Sequence, residues 1–237
     1  MNSNKADKEK KNIIPDHEHD DYNNYFDENV MPDNSEGVEK SYGPLNRRPS
    51  FSSLYPALII SIIIVFFTRI PGSSSYGDLL YVSGETVYMN HEYWRLLTAL
   101  FIHADALHLV SNLPLLLLFG MLLFEYFGFI GFPAVPLIIG AASNAFTICF
   151  YQSFARLLGA SGMIYGMVSL WLVLYIYHDT DRSMMMRIFR ATGFALIMLF
   201  PETYNPATSY LAHASGFVIG IISGFIILPF INVRKEE

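Results

Sequence analysis

Ser161 stands in the stretch Gly159-Ala160-Ser161-Gly162-Met163-Ile164-Tyr165-Gly166, which opens an apolar run continuing to about Tyr177. A serine between small residues at the first turn of a helix carries an uncrowded hydroxyl, and the backbone N–H groups there have no intrahelical acceptor. A nucleophile beside an oxyanion site uses that combination. Gly-Ala-Ser-Gly is equally what a close contact between two membrane helices looks like, so the chemistry needs partners elsewhere in the chain.

Two histidines and an asparagine are the candidates. His213-Ala214-Ser215-Gly216 opens the last apolar run, and Gly216, Gly220 and Gly224 follow at helical spacing on one face. Gly162 and Gly166 make a second small-residue seam beside Ser161. Where such seams meet, backbones approach closely and Ser161 Oγ comes within reach of the His213 imidazole, the geometry a general base needs. His108 and Asn112, one helical turn apart, project from one face. There they either offer donors to a developing oxyanion, beside the Ser161 backbone N–H, or form a polar clamp between helices. No acidic third member has a route to His213: Asp105 and Glu125 sit near opposite ends of one helix, and Glu202 belongs to a loop. The charges therefore allow a Ser161/His213 dyad. Tyr165, one turn after Ser161, either packs on the imidazole and orients it or is ordinary core.

The elements that must position these groups are membrane helices. Hydrophobic residues make up 52% of the 237-residue chain and charged residues 15%, the latter concentrated in the first fifty positions, which excludes an ordinary soluble domain. The net charge of −6 comes largely from that tail, and no basic stripe argues for nucleic acid. Cys149 is alone, has no internal disulfide partner and reads as a small buried hydrophobe.

Residues 1–50, rich in Asn, Asp, Glu, Lys and Ser, cannot bury enough apolar surface to offset ordering and read as a disordered cytoplasmic tail. Without a basic segment followed directly by an apolar core, their start does not read as a cleaved signal peptide. His17-Glu18-His19-Asp20 reads as a solvated charge run rather than a metal site. A domain from 51 to 237 follows. Apolar stretches at 54–70, 106–126, 132–150, 161–177, 188–199 and 208–231 predict six spans, the fifth short at about a dozen residues. Between the first two, the segment from Pro71 to about Arg95 is too polar to span and aromatic enough to lie in the headgroup region.

Arg47/Arg48, Arg182, Arg187, Arg190 and Arg234/Lys235 fall on one side of a six-span chain, which puts both termini in the cytoplasm. The second, fourth and sixth helices are then parallel. Counted back from their inner ends, Asn112, Ser161 and His213 all lie about 15 or 16 residues up, on the order of 24 Å above the inner face. Within a hydrocarbon core about 30 Å thick, three polar groups at one depth imply a shared, wet site.

With these residues in place, the chain from about Leu54 to the C-terminus resembles the rhomboid intramembrane serine proteases. The matching pieces are Glu92-Tyr93-Trp94-Arg95, His103-Ala104-Asp105-Ala106-Leu107-His108-Leu109-Val110-Ser111-Asn112, Gly159-Ala160-Ser161-Gly162, and His213-Ala214-Ser215-Gly216 followed by Gly220, in the family's order. The resemblance implies an all-α integral membrane protein, a six-transmembrane-helix bundle with an interfacial loop between helices 1 and 2. It implies that Ser161 is the nucleophile and His213 the base, with Asn112, His108 and the Ser161 amide around the oxyanion. It gives Gly159 and His103 supporting roles, seats Tyr165 on the histidine, and places Trp94 and Arg95 in the interfacial loop. It further implies cleavage of single-span membrane protein substrates near the outer face, without metal or cofactor. Leu113 stands where the family commonly has methionine, a change of packing only.

The competing classes fare worse. A metalloprotease needs His-Glu-x-x-His on a helix, and the chain has none. An aspartyl protease needs paired carboxylates within the spans. A transporter would show inverted repeats and a second ionisable pathway. The remaining rival is a non-catalytic relative that binds client transmembrane helices, against which intact Ser161 and His213 argue. The expected mechanism admits a substrate helix sideways past a movable fifth helix, under a cap formed by loop 201–207.

Overall fold

The computed structural model describes residues 43–69, 78–199 and 208–234, all within one unit, Tyr42–Glu237. Residues 1–42 with the His17-Glu18-His19-Asp20 group, the Pro71 end of the interfacial segment, Glu202 and the expected 201–207 cap lie outside the described residues.

Among the described residues six long helices follow one another: α1 (Tyr55–Arg69), α2 (Ala106–Phe129), α3 (Val135–Ile148), α4 (Ser161–His178), α5 (Met184–Leu199) and α6 (Tyr210–Ile227). Among the described residues extended pairing is limited to an antiparallel bridge between Val82 and Leu157. Four stretches are long and apolar enough to cross a bilayer, Phe51–Thr68, Ala106–Ile148, Ser161–His178 and Tyr210–Phe230, so the chain is a multi-pass membrane protein. The second stretch contains both α2 and α3, because the chain turns at Gly128 (φ 63°) and Phe132 with hardly any polar loop between them. The fifth helix begins four residues earlier than its hydropathy suggested, at Met184. Ser183 caps it, its Oγ accepting the Met186 N–H at 3.4 Å.

α4 is the central helix. Its sequence is apolar on every side, and a helix of that kind has to be surrounded. Met163, Ile164, Met167, Leu170 and Leu174 are accordingly all but fully buried, against α2, α3 and α6. Lipid tails are as apolar as leucine, so fit rather than water exclusion rewards such packing. The fit with α6 is a backbone fit. A Cβ on Gly216 would overlap the carbonyl oxygen of Gly162, one on Gly220 would overlap that of Gly166, and one on Gly224 would lie 2.8 Å from Val173 Cβ. Contact positions rise together along both helices, so α4 and α6 run parallel and in register, as the orientation argument requires.

The segment between α1 and α2 is tied down by Arg95, only 6% exposed. Its Nε pairs with Glu92 at 2.6 Å, and its Nη1 donates to the carbonyls of Asp78 and Tyr81 at 2.9 and 3.2 Å. The Val82–Leu157 bridge then joins this segment to the loop that leads into Ser161.

At the far end of α2, the buried carboxylate of Glu125 meets Arg47 at 3.1 Å and accepts hydrogen bonds from Ser50 N–H and Ser53 Oγ. Tyr126 Oη donates to the Arg47 carbonyl at 2.7 Å. Residues 43–50, which composition assigns to the tail, are therefore packed against α2. A carboxylate at an apolar helix end needs a cation, and the chain just ahead of α1 supplies it.

Candidate active site

Chain geometry places Ser161 at the first position of α4. Gly159 adopts φ 119°, a left-handed conformation that favours glycine, and its N–H donates to Ala99 O at 2.9 Å. A side chain there would also lie 2.8 Å from Cε1 of His108, so the backbone passes against that ring. The N–H groups of the first turn, those of Ser161, Gly162 and Met163, are the ones a helix leaves without internal acceptors. Ser161 itself is 9% exposed.

His213 lies in the first turn of α6. Ser209 caps that helix through a bond from Ala212 N–H at 3.3 Å, and Tyr151 Oη meets Ser209 Oγ at 3.0 Å. The Tyr165 ring stacks on the imidazole, with centroids 4.3 Å apart and planes 14° from parallel. Tyr210 meets the same ring edge-on at 6.2 Å. Two tyrosines thus limit how the imidazole can turn, and of the two readings of Tyr165 the structure takes the one that seats it on the histidine. Behind the ring, Ser143 Oγ on α3 donates to Ala212 O at 2.9 Å and meets Ser215 Oγ at 3.0 Å.

Ser161, His213 and His108 line one cavity of about 150 Å³, together with Asn144, Arg156 and Thr208. The first three are residues that sequence reasoning also grouped. It expected Ser161 Oγ within hydrogen-bond reach of His213. Among the described residues the two share the cavity without a direct bond, a looseness common in unliganded sites.

Asn112 sits elsewhere. It is buried, does not line the cavity, and its Nδ2 donates to His103 Nε2 at 2.9 Å. The same nitrogen accepts the Ala160 N–H at 3.3 Å. With both neighbours donating to Nε2, the ring proton of His103 belongs on Nδ1. His103 therefore clamps α2 to the residue preceding Ser161, and packs edge-on against the His108 ring with centroids 4.9 Å apart. Asn112 thus forms a polar clamp, to the His103 ring rather than to the buried carbonyl that the clamp reading expected, while His108 borders the cavity.

A clamp of this kind needs a neutral imidazole, and His103 is held neutral. Burial, reinforced by repulsion from His108 and opposed by Asp105, pushes its pKa down to about 4. Between that value and the unfolded value near 6.5, the unfolded chain binds a proton that the folded one refuses. Stability from this source is fully present above about pH 6.5 and is lost as pH falls toward 4, by up to about 3 kcal/mol. Melting midpoints measured across that window are expected to fall in the wild type and to fall less steeply in His103→Gln, which removes this histidine's share of the slope.

Sequence reasoning missed Tyr210, Ser143, Asn144 and Arg156. Tyr210 precedes His213 by three residues, a same-face helical spacing that was legible. Asn144 donates to Leu96 O at 2.9 Å, and Arg156 pairs with Asp78 at 2.6 Å while lying over the Tyr81 ring; these pairings had no sequence signal. Among the described residues, no group of His, Cys, Asp and Glu has the geometry to hold a metal ion.

Comparison with known proteins agrees with the motifs. The model of the Rhomboid domain matches residues 90–230. RHOMBOID-like protein 6, mitochondrial, of Arabidopsis thaliana is 29% identical over 158 residues, covering 67% of this chain and 51% of the relative. RHOMBOID-like protein 2 of the same plant is 30% identical, covering 67% and 50%. The rhomboid protease GluP of Bacillus subtilis (strain 168) is 27% identical, covering 80% and 36%. The chain thus spans about half the length of the two plant relatives.

Proposed function

The chain belongs to the rhomboid family, and from that premise we propose that it is an intramembrane serine endopeptidase that cuts single-span membrane proteins in or near their transmembrane segment. The observation that carries this reading is the shared cavity. A serine at the first turn of α4 and a histidine at the first turn of the parallel α6 open into it, with Tyr165 stacked on the imidazole.

In this reading Ser161 Oγ attacks the scissile carbonyl while His213 takes its proton. His213 then returns the proton to the leaving amine, and a water molecule activated by the same imidazole releases the acyl group from Ser161. The negative charge on the carbonyl oxygen is met by the N–H groups at the start of α4 and by His108, whose ring borders the cavity. Asn112, already bonded to His103, acts as a positioning residue for the strand of chain entering α4. No step calls for a metal or cofactor.

The same proposal takes the chain through the bilayer six times with both termini in the cytoplasm, which puts Ser161 beneath the outer face. α5 is the element for lateral entry, since its outward side carries the exposed Met185, Phe189 and Ile197 and it meets the bundle mainly through α4.

Purified protein mixed in detergent with a model single-span substrate is the direct test. Scission at one bond in or beside the span is expected; an intact substrate bound stably to the protein would instead favour a non-catalytic binder of client helices. In the same assay His108→Ala is expected to lower kcat by about 10- to 1000-fold with a smaller change in KM, as loss of an oxyanion donor does. An unchanged kcat would make His108 a packing residue.

A further inference from the structure

We propose that Ser50 is a phosphorylation site for an arginine-directed serine kinase, and that the added phosphoryl group competes with Glu125 for Arg47 and loosens the chain ahead of α1 from the end of α2. The inference concerns the opposite end of α2 from His108 and does not rest on the chemistry proposed at Ser161. It takes from the proposed topology only that this end faces the compartment that holds ATP.

The first observation is the sequence Arg47-Arg48-Pro49-Ser50-Phe51. Two guanidinium groups three and two residues ahead of a serine, with a large apolar residue after it, form the charge pattern that an acidic kinase cleft reads. The second is conformation. Ser50 is exposed, its backbone is extended (φ −75°, ψ 141°), and the residues leading to it have no regular structure, so the segment has the shape a cleft accepts. Ser53 offers no such access: it is 5% exposed, with its Oγ on Glu125.

The third observation is what surrounds the acceptor. Ser50 N–H donates to Glu125 Oε2 at 3.3 Å, and Arg47 binds Glu125 through Nη1 to the carboxylate at 3.1 Å and through Nη2 to the carbonyl at 3.0 Å. Arg47 Nε is buried with no partner, so the guanidinium has a donor to spare. In the transfer, Ser50 Oγ attacks the γ-phosphorus of ATP, the bond from that phosphorus to ADP breaks, and the hydroxyl proton passes to the kinase's base. The product adds a charge of about −1.5 to −2 next to Glu125. That spare Nε gives the phosphoryl group a foothold on Arg47, and its higher charge draws the guanidinium away from the singly charged carboxylate. Arg47 and the exposed Arg48 turn to the phosphoryl oxygens, and Glu125 is left buried without its cation.

The test uses the full chain in detergent with MgATP and the catalytic subunit of a cyclic-AMP-dependent serine kinase, followed by peptide mass spectrometry and thermal melting. One phosphate is expected on Ser50, none in Ser50→Ala, and a melting midpoint lowered by roughly 3–8 °C in the modified wild type alone. Arg48→Ala is expected to slow incorporation at least about 10-fold and to leave the midpoint of unmodified protein where it was. Failure to modify Ser50 when the free Arg-Arg-Pro-Ser-Phe peptide is modified, or phosphate placed on Ser52 instead, overturns the site. Full phosphorylation with an unmoved midpoint overturns the competition for Arg47.

Discussion

Replacing Ser161 with alanine is expected to lower turnover of a single-span substrate by about 10⁴-fold or more, with melting behaviour close to wild type. The hydroxyl is the atom that forms the acyl bond, and Ser161 is small and borders a cavity, so its loss removes little packing. His213→Ala is expected to cost about as much, since without the base the hydroxyl stays protonated. The double variant should be no worse than either single one, because two groups acting on one proton fail together. Gel-based initial rates on all three check this. Additive losses would mean that the two residues act separately, and turnover retained in both single variants would end their assignment as a dyad.

Gly216→Ala is expected to destabilise the protein by about 3 kcal/mol and to lower its melting midpoint by roughly 6–12 °C. The methyl group would overlap the Gly162 carbonyl oxygen, which is backbone and cannot swing aside. α4 and α6 would have to separate, and with them Ser161 and His213. Gly193→Ala on α5 is the matched control, for a Cβ there meets nothing within 4 Å. Alanine is the better helix former by about 1 kcal/mol, so that change is expected to be neutral or mildly stabilising. Opposite signs for one chemical change at two helical glycines would locate the stability in the seam. Equal effects would contradict it.

Much of this site was legible before any coordinates. Glycines spaced four apart on two runs implied a close helix pair, and in the structure the seams at Gly162/Gly166 and Gly216/Gly220 are the contact. Depth counting put Asn112, Ser161 and His213 at one level, and in the structure His103 bonds both Asn112 and Ala160, which brings the start of α4 beside Asn112 on α2. What spacing could not assign was direction within the level. His108 and Asn112 lie on one face, yet the first borders the cavity and the second turns to His103, a choice made by a ring from outside the helix.

Other features escaped for similar reasons. Residues 43–50 look like tail by composition, and what orders them is distant in the chain: Tyr126 and Glu125, the latter 78 residues from Arg47. Long-range pairing of that kind leaves no local periodicity. Arg95 was readable as part of a motif, but its hold on Asp78 and Tyr81 was not.

The central claim is that Ser161 is a nucleophile activated by His213, and labelling by a serine-directed fluorophosphonate tests it without any knowledge of the substrate. Wild-type protein is expected to take up one label, on the peptide containing Ser161, while Ser161→Ala takes up none and His213→Ala reacts at least about 100-fold more slowly. Equal labelling of wild type and Ser161→Ala, or none in a folded wild type, would contradict the account.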